Sequence, residues 1–305
     1  MNAIIPFAEL SPKNAAALAR RASEQIAALE HWKLNLRRSV SLRASICHLE
    51  FASAANSYGS TPAELARFGK ALRCVMDWLQ VLNCLTDERA AHVAEELSEA
   101  IGSGENNRRA DDILAQFWFG ALLAHSGLRP AVPPASAGRR PDFVIHVDSY
   151  ELCIEVKRPE SLHSAVRAIR EAAGQIRDYG KPGFVALDLS KSLDTDRFLT
   201  GGYWEPESPL EEFRSEFLKA TDTIADRVRG HRSNGRYRPL MGLFMFARAD
   251  AWHHKRLTSP YSSVFINAPT FERACGGLVV DASVRVGQLI RSGVEHFSGA
   301  PVRAL

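Results

Sequence analysis

Pro141-Asp142-Phe143-Val144-Ile145-His146-Val147-Asp148-Ser149-Tyr150-Glu151-Leu152-Cys153-Ile154-Glu155-Val156-Lys157 carries the fold assignment. Apolar residues alternate on both sides of Asp148-Ser149, a pair that suits a tight turn, so the run predicts a β-hairpin. With the turn placed there, Val147 faces Tyr150, Ile145 faces Leu152 and Phe143 faces Ile154. These residues and Val156 share one continuous apolar face, as a strand period of two requires. The other face collects Asp142, Val144 and His146 from the first strand, and Glu151, Cys153, Glu155 and Lys157 from the second.

This register sets Asp142 opposite Glu155, with Cβ atoms about 5 Å apart. Two carboxylates at that separation repel, and a divalent cation between them turns the repulsion into coordination. Hard oxygen ligands suit Mg²⁺ or Mn²⁺. Lys157, two residues beyond Glu155, stands on the same side. Its ammonium can orient an attacking water and offset charge developing on a phosphate. Asp142 and Glu155 are therefore the candidate metal ligands and Lys157 the candidate catalytic cation of a phosphodiester hydrolysis. His146 lies two pairs from the metal position and reads as a packed histidine, not a ligand.

Working outward, Asp111–Ser126 reads as a buried helix, apolar nearly all round at Phe117-Trp118-Phe119 and Leu122-Leu123. Arg129–Arg140 reads as a loop or short edge strand. After the hairpin come a helix at Ser161–Tyr179, a strand at Gly183–Leu189, a long loop at Ser190–Pro209 and a helix at Leu210–Val228. Apolar strands are expected at Met241–Ala247 and Gly277–Val280. This alternation predicts a mixed α/β domain over 105–305. Residues 1–104 read as an α-helical region with stretches at Ala15–Leu29, Ala63–Leu82 and Glu88–Ile101, rich in Ala, Leu, Glu and Arg. The polar run Gly102–Asn107 makes the boundary. The helical region carries no chemical motif, and its expected roles are dimerisation, partner recognition or regulation.

Pro141-Asp142, twelve intervening residues and Glu155-Val156-Lys157 resemble the signature of the PD-(D/E)xK nuclease superfamily, the restriction-endonuclease-like fold. The resemblance spans roughly residues 110–190 and includes the order helix, hairpin, helix, strand. The downstream helix holds Gln175-Ile176-Arg177-Asp178-Tyr179, which resembles the Q-x-x-x-Y element of the RecB-like and Cas4-like branch. Gln175 and Tyr179 lie one turn apart on one face. The resemblance implies that Asp142 and Glu155 bind metal and that Lys157 is catalytic. It places Gln175 and Tyr179 beside the scissile strand. Family members often carry an acid on the preceding helix, for which Asp112 is the nearest candidate. The implied fold is a mixed sheet flanked by helices, preceded by an all-α N-terminal region.

Other basic residues are candidate phosphate contacts: Arg158, directly after the lysine, and Arg229, Arg232 and Arg236 in an arginine-rich stretch. Gly174 to Pro182 superficially resembles a P-loop, but it has five residues between its glycines and Pro182 where Ser or Thr would bind Mg²⁺, so an ATPase is excluded. H-E-x-x-H, G-x-S-x-G and G-x-G-x-x-G are all absent.

The chain has 305 residues, 46% hydrophobic and 24% charged, an ordinary globular composition that excludes wholesale disorder. Its longest apolar run, Phe117–Ala124, falls short of the roughly 20 residues a membrane span needs. Five widely spaced cysteines without a C-x-x-C pair argue against a disulfide framework or structural zinc, and suit a cytoplasmic setting. A net charge of +3 permits a nucleic-acid partner without demanding one. The expectation is a cytoplasmic, Mg²⁺- or Mn²⁺-dependent nuclease acting on DNA, with a setting in restriction or anti-phage defence. RNA as substrate, and a non-catalytic nucleic-acid-binding or scaffolding role, stand as alternatives.

Overall fold

The computed structural model describes residues 40–57, 61–84, 107–133, 140–195, 207–231, 237–252, 260–267 and 284–290, with isolated positions at 17–24 and 292. The chain divides into two compact units. One comprises residues 1–121, 196–209 and 250–262; the other comprises 122–195, 210–249 and 263–305. The boundary expected near residue 104 lies outside the described residues.

In the first unit, α1 (Val40–Ala54) packs against α2 (Pro62–Cys84). Leu42, Ile46 and Leu49 on α1, and Phe68, Leu72, Val75 and Leu79 on α2, recur at helical spacing and are buried. Thr61 and Glu64 form a reciprocal capping box that starts α2. α3 (Asn107–His125) runs from the first unit into the second, with Phe117, Trp118 and Phe119 buried in the one and Leu122 and Leu123 in the other, as its all-round apolar pattern implies. Every element among the described residues before the first strand is a helix. Most of Ala15–Leu29, and all of Glu88–Ile101, lie outside the described residues.

The sheet is mixed and runs in the order β1 (Phe143–Val147), β2 (Tyr150–Lys157), β3 (Gly183–Asp188), β4 (Leu240–Trp252), β5 (Pro260–Asn267). β1 and β2 form the antiparallel hairpin, paired Phe143 to Ile154, Ile145 to Leu152 and Val147 to Tyr150. The register is the one the alternation required. Asp148 takes the left-handed conformation at the turn (φ 54°). β2–β3 and β3–β4 are parallel. They are joined by α4 (Leu162–Tyr179) and by a connection containing α5 (Glu207–His231). Parallel pairing needs such crossovers, and α4 packs against β2 and β3. β3 is accordingly buried along its whole length.

Three expectations change. β4 runs on to Trp252, beyond the expected Ala247. β5 was not expected, because Pro260-Tyr261-Ser262-Ser263 breaks the apolar alternation. Ala131 pairs with Val144 at an isolated antiparallel bridge on the edge strand β1, and residues 134–139 of the expected loop or edge strand lie outside the described residues. The strand expected at Gly277–Val280 lies outside the described residues.

α4 is sharply bounded. Ser161 and Ser164 cap its start reciprocally, and Gly180 (φ 83°) ends it in the left-handed conformation. Ala165, Ile169, Ala172, Ala173 and Ile176 form its buried stripe. Gly183 then lets β3 enter beside β2, since a Cβ there would collide with the Cys153 backbone.

Candidate active site

Asp142 sits in the bend just before β1, half-buried, and Glu155 sits near the end of β2 with only 1% of its surface exposed. The hairpin register makes them neighbours, and each caps the other's backbone. The Asp142 N–H donates to Glu155 Oε2 at 3.1 Å, and the Val156 N–H donates to Asp142 Oδ2 at 2.7 Å. Lys157 Nζ donates to Glu155 Oε1 at 2.6 Å. The two carboxylates and the ammonium expected from the sequence are thus brought together.

α4 lies over the same sheet face, and one row of its side chains follows one row of β2. The Gln175 side chain stands beside the Glu155 carboxylate and favours its charged form. One turn earlier, the charge of Glu171 acts on Lys157. One turn later, Tyr179 lies within the field of Glu151 and Cys153. The match has a simple metric origin. Four helical residues rise about 6 Å, and two strand residues rise about 6.6 Å, so Glu171-Gln175-Tyr179 keeps pace with Lys157-Glu155-Cys153. Glu171, exposed and paired with Arg167 at 2.8 Å, was not singled out from the sequence. Its signal was the same four-residue spacing that relates Gln175 to Tyr179.

Burial pushes the Glu155 carboxyl above its ordinary range, and Lys157, Asp142 and Gln175 only partly offset it. Lys157 goes up: burial opposes its charge, but the attraction and hydrogen bond of Glu155, then the charges of Asp142 and Glu171, outweigh burial. Cys153, deep under α4 beside Glu151 and Glu155, is pushed up to about 12 by burial and those charges, so it stays a thiol. Glu155 is buried between the acids Asp142 and Glu151, with the Lys157 ammonium against it and Lys181 beside Glu151.

The remaining candidates are placed differently. Arg158 follows Lys157 and therefore faces the opposite side of the sheet. Its Nε lies 3.7 Å from Asp188 Oδ2, away from Glu155. Arg229 is exposed on α5 and pairs with Asp226 at 2.9 Å. Arg232 and Arg236 lie outside the described residues. Asp112 is an exposed residue of α3 in the first unit. His146 is exposed, so its reading as a packed histidine is corrected: β1 is an outer strand of the sheet, and position 146 opens to solvent.

A separate groove of about 390 Å³ lies between the first turn of α4 and α5, lined by Leu162, His163, Lys219, Thr223, Ile224 and Arg227. It shares no residue with the carboxylate site.

The donor set fits a hard divalent cation of one kind. Among the described residues, no group of three or more His, Cys, Asp or Glu side chains is placed to hold a metal ion. A site built on Asp142 and Glu155 would supply two carboxylates and leave the other positions to water. Mg²⁺ is commonly held this way, because it gives up its waters reluctantly. Among the described residues, no helix is long and apolar enough to cross a membrane.

No protein-family model, curated protein or solved structure matches the chain.

Proposed function

We propose that the protein is a metal-dependent nuclease that hydrolyses phosphodiester bonds of DNA. The observation that carries this reading is the convergence of Asp142, Glu155, Lys157 and Gln175 on one point at the end of β2. Support also comes from the element order α3, β1–β2 hairpin, α4, β3, which is the order of the restriction-endonuclease-like fold that the motif resembles. A purely structural role explains the pair of acids poorly. Burying a carboxylate beside a second one destabilises the chain unless a cation compensates.

In this reading Asp142 and Glu155 hold Mg²⁺ or Mn²⁺. When bound, the cation supplies Lewis acidity at the phosphate and lowers the pKa of a coordinated water. Gln175, beside the Glu155 carboxylate, favours its charged, metal-binding form. The Lys157 ammonium, 2.6 Å from Glu155, orients the attacking water and offsets charge on the phosphate. The water oxygen forms the new bond to phosphorus while the bond to the leaving oxygen breaks, giving one phosphate end and one hydroxyl end. Glu155, beneath α4, is almost wholly shielded from bulk water, which strengthens its interactions. A restriction or anti-phage role is the setting we propose for such an activity.

The test is cleavage of plasmid and linear DNA with Mg²⁺, Mn²⁺ or EDTA, with RNA in parallel. Glu155→Ala and Lys157→Ala are each expected to abolish metal-dependent cutting while the circular dichroism spectrum stays that of the wild type. Cutting of RNA alone would reassign the substrate. Undiminished cutting by both variants would remove the assignment.

A further inference from the structure

Resting on the nuclease reading, we propose that the Asp188–Ser192 segment is a positioning device for the active site. It fixes the Arg158–Glu160 connection between β2 and α4, and so sets where Lys157 stands and where α4 presents Gln175 to Glu155.

Three successive residues of that connection are each tied to the segment after β3. Arg158 Nε lies 3.7 Å from Asp188 Oδ2. The Pro159 carbonyl accepts from Ser192 Oγ at 2.7 Å. Glu160 Oε1 pairs with Lys191 Nζ at 2.6 Å. The anchoring segment is itself held. The Ser190 N–H donates to Asp188 Oδ1 at 3.0 Å, and the Arg248 N–H of β4 donates to Ser190 Oγ at 3.0 Å. The Leu189 N–H donates to the Phe246 carbonyl at 2.7 Å. Arg248 Nη2 also lies 3.6 Å from Asp188 Oδ2. Asp188, with no exposed surface, therefore links the residue just past β2, the end of β3 and the interior of β4.

The register explains why this cluster acts on the site without entering it. The β2–β3 ladder ends at Lys157 and Leu187, and the alternation of side chains puts the next residues, Arg158 and Asp188, toward the face of Val156 and Ala186. Lys157 and Glu155 lie on the other face. The same four-residue link, 158–161, ends at the Ser161 cap of α4. A shift of this link moves the ammonium on one side and the helix carrying Gln175 on the other. Misplacement by about 1 Å can lower a rate by about a hundredfold.

The direct test compares the wild type with Lys191→Ala/Ser192→Ala, which removes the exposed Lys191–Glu160 pair and the part-buried Ser192–Pro159 hydrogen bond, and with Asp188→Asn. Cleavage kinetics, calorimetric Mn²⁺ titration and amide hydrogen exchange over 155–179 are measured on each. The double variant is expected to lose about tenfold in kcat with KM and Mn²⁺ affinity within about twofold. Amides of 158–164 are expected to exchange faster. Asp188→Asn is expected to go further in the same direction. A lower melting temperature with unchanged kcat per folded molecule would show a merely structural role and overturn the inference. If the wild type does not cleave, the nuclease reading fails by itself. The exchange measurement then decides the positioning claim, and unchanged protection over 155–164 overturns it.

Discussion

Replacing Lys157 by Met separates the ammonium from everything else in the site. Lys157 Nζ is 2.6 Å from Glu155 Oε1, and Glu155 is almost wholly buried. Methionine keeps most of the stem, so the loss is mainly electrostatic. Breaking a buried pair by removing one partner costs roughly 3–5 kcal/mol. With 27% of the Lys157 side chain exposed, about 2–3 kcal/mol is expected at neutral pH. The pH dependence follows from Glu155, whose carboxyl already lies above its ordinary range because of burial. Loss of the ammonium raises it further. A raised carboxyl favours the folded state below its unfolded value, about pH 4.3, and loses that advantage as pH rises through the folded value. The deficit of Lys157→Met is therefore largest near neutrality and shrinks toward pH 4. Mn²⁺ replaces the missing counter-charge and, at a hundred times its dissociation constant, contributes about 2.7 kcal/mol. At roughly 2 °C per kcal/mol for a chain of this size, the melting temperature rises by about 5 °C. At equal metal concentration the rise exceeds that of the wild type, where the ammonium competes with the cation. Thermal melts of the wild type, Lys157→Met and Asp142→Asn/Glu155→Gln, with and without Mn²⁺, read this out. The reasoning is refuted if Lys157→Met melts with the wild type, or if Mn²⁺ raises the carboxylate variant equally.

Three further outcomes follow from the geometry. Gly183→Ala drives a Cβ into the Cys153 backbone, and a loss of about 1–3 kcal/mol is expected in urea unfolding. Asp188→Asn destabilises most near neutral pH. Burial alone would raise the Asp188 carboxyl, but Arg248, Arg158 and the Ser190 hydrogen bonds outweigh it and hold it below the usual range. A lowered carboxyl stabilises above its unfolded value and loses that contribution as pH falls through the folded one. The gap between variant and wild type in chemical unfolding should therefore narrow below about pH 4. Arg158→Ala is expected to lower stability while leaving the salt dependence of DNA affinity unchanged, because its guanidinium is turned to Asp188. A shallower slope of affinity against salt would instead make it a phosphate contact.

The hairpin and its register were legible because strict alternation over Phe143–Val147 and Leu152–Val156 admits only one pairing with Asp148-Ser149 at the turn. That register alone brought Asp142 to Glu155. The Gln175 contact was foreshadowed by the motif. The reach of Glu171 to Lys157 was legible only once α4 was known to run alongside β2. Arg158 shows a rule applied too loosely: consecutive strand residues point to opposite faces, so an arginine next to Lys157 could not share its side. The burial of Glu155 agrees with the apolar strands Phe143–Val147 and Leu152–Val156, which point to a buried sheet. β5 escaped notice because serine and proline interrupt its pattern at Pro260–Ser263.

The most direct measurement is anomalous diffraction from a crystal soaked in Mn²⁺. One peak shared by the carboxylates of Asp142 and Glu155, absent from Asp142→Asn/Glu155→Gln, is the expected result. A soaked crystal with no density between those side chains, or with manganese bound only elsewhere, would contradict it.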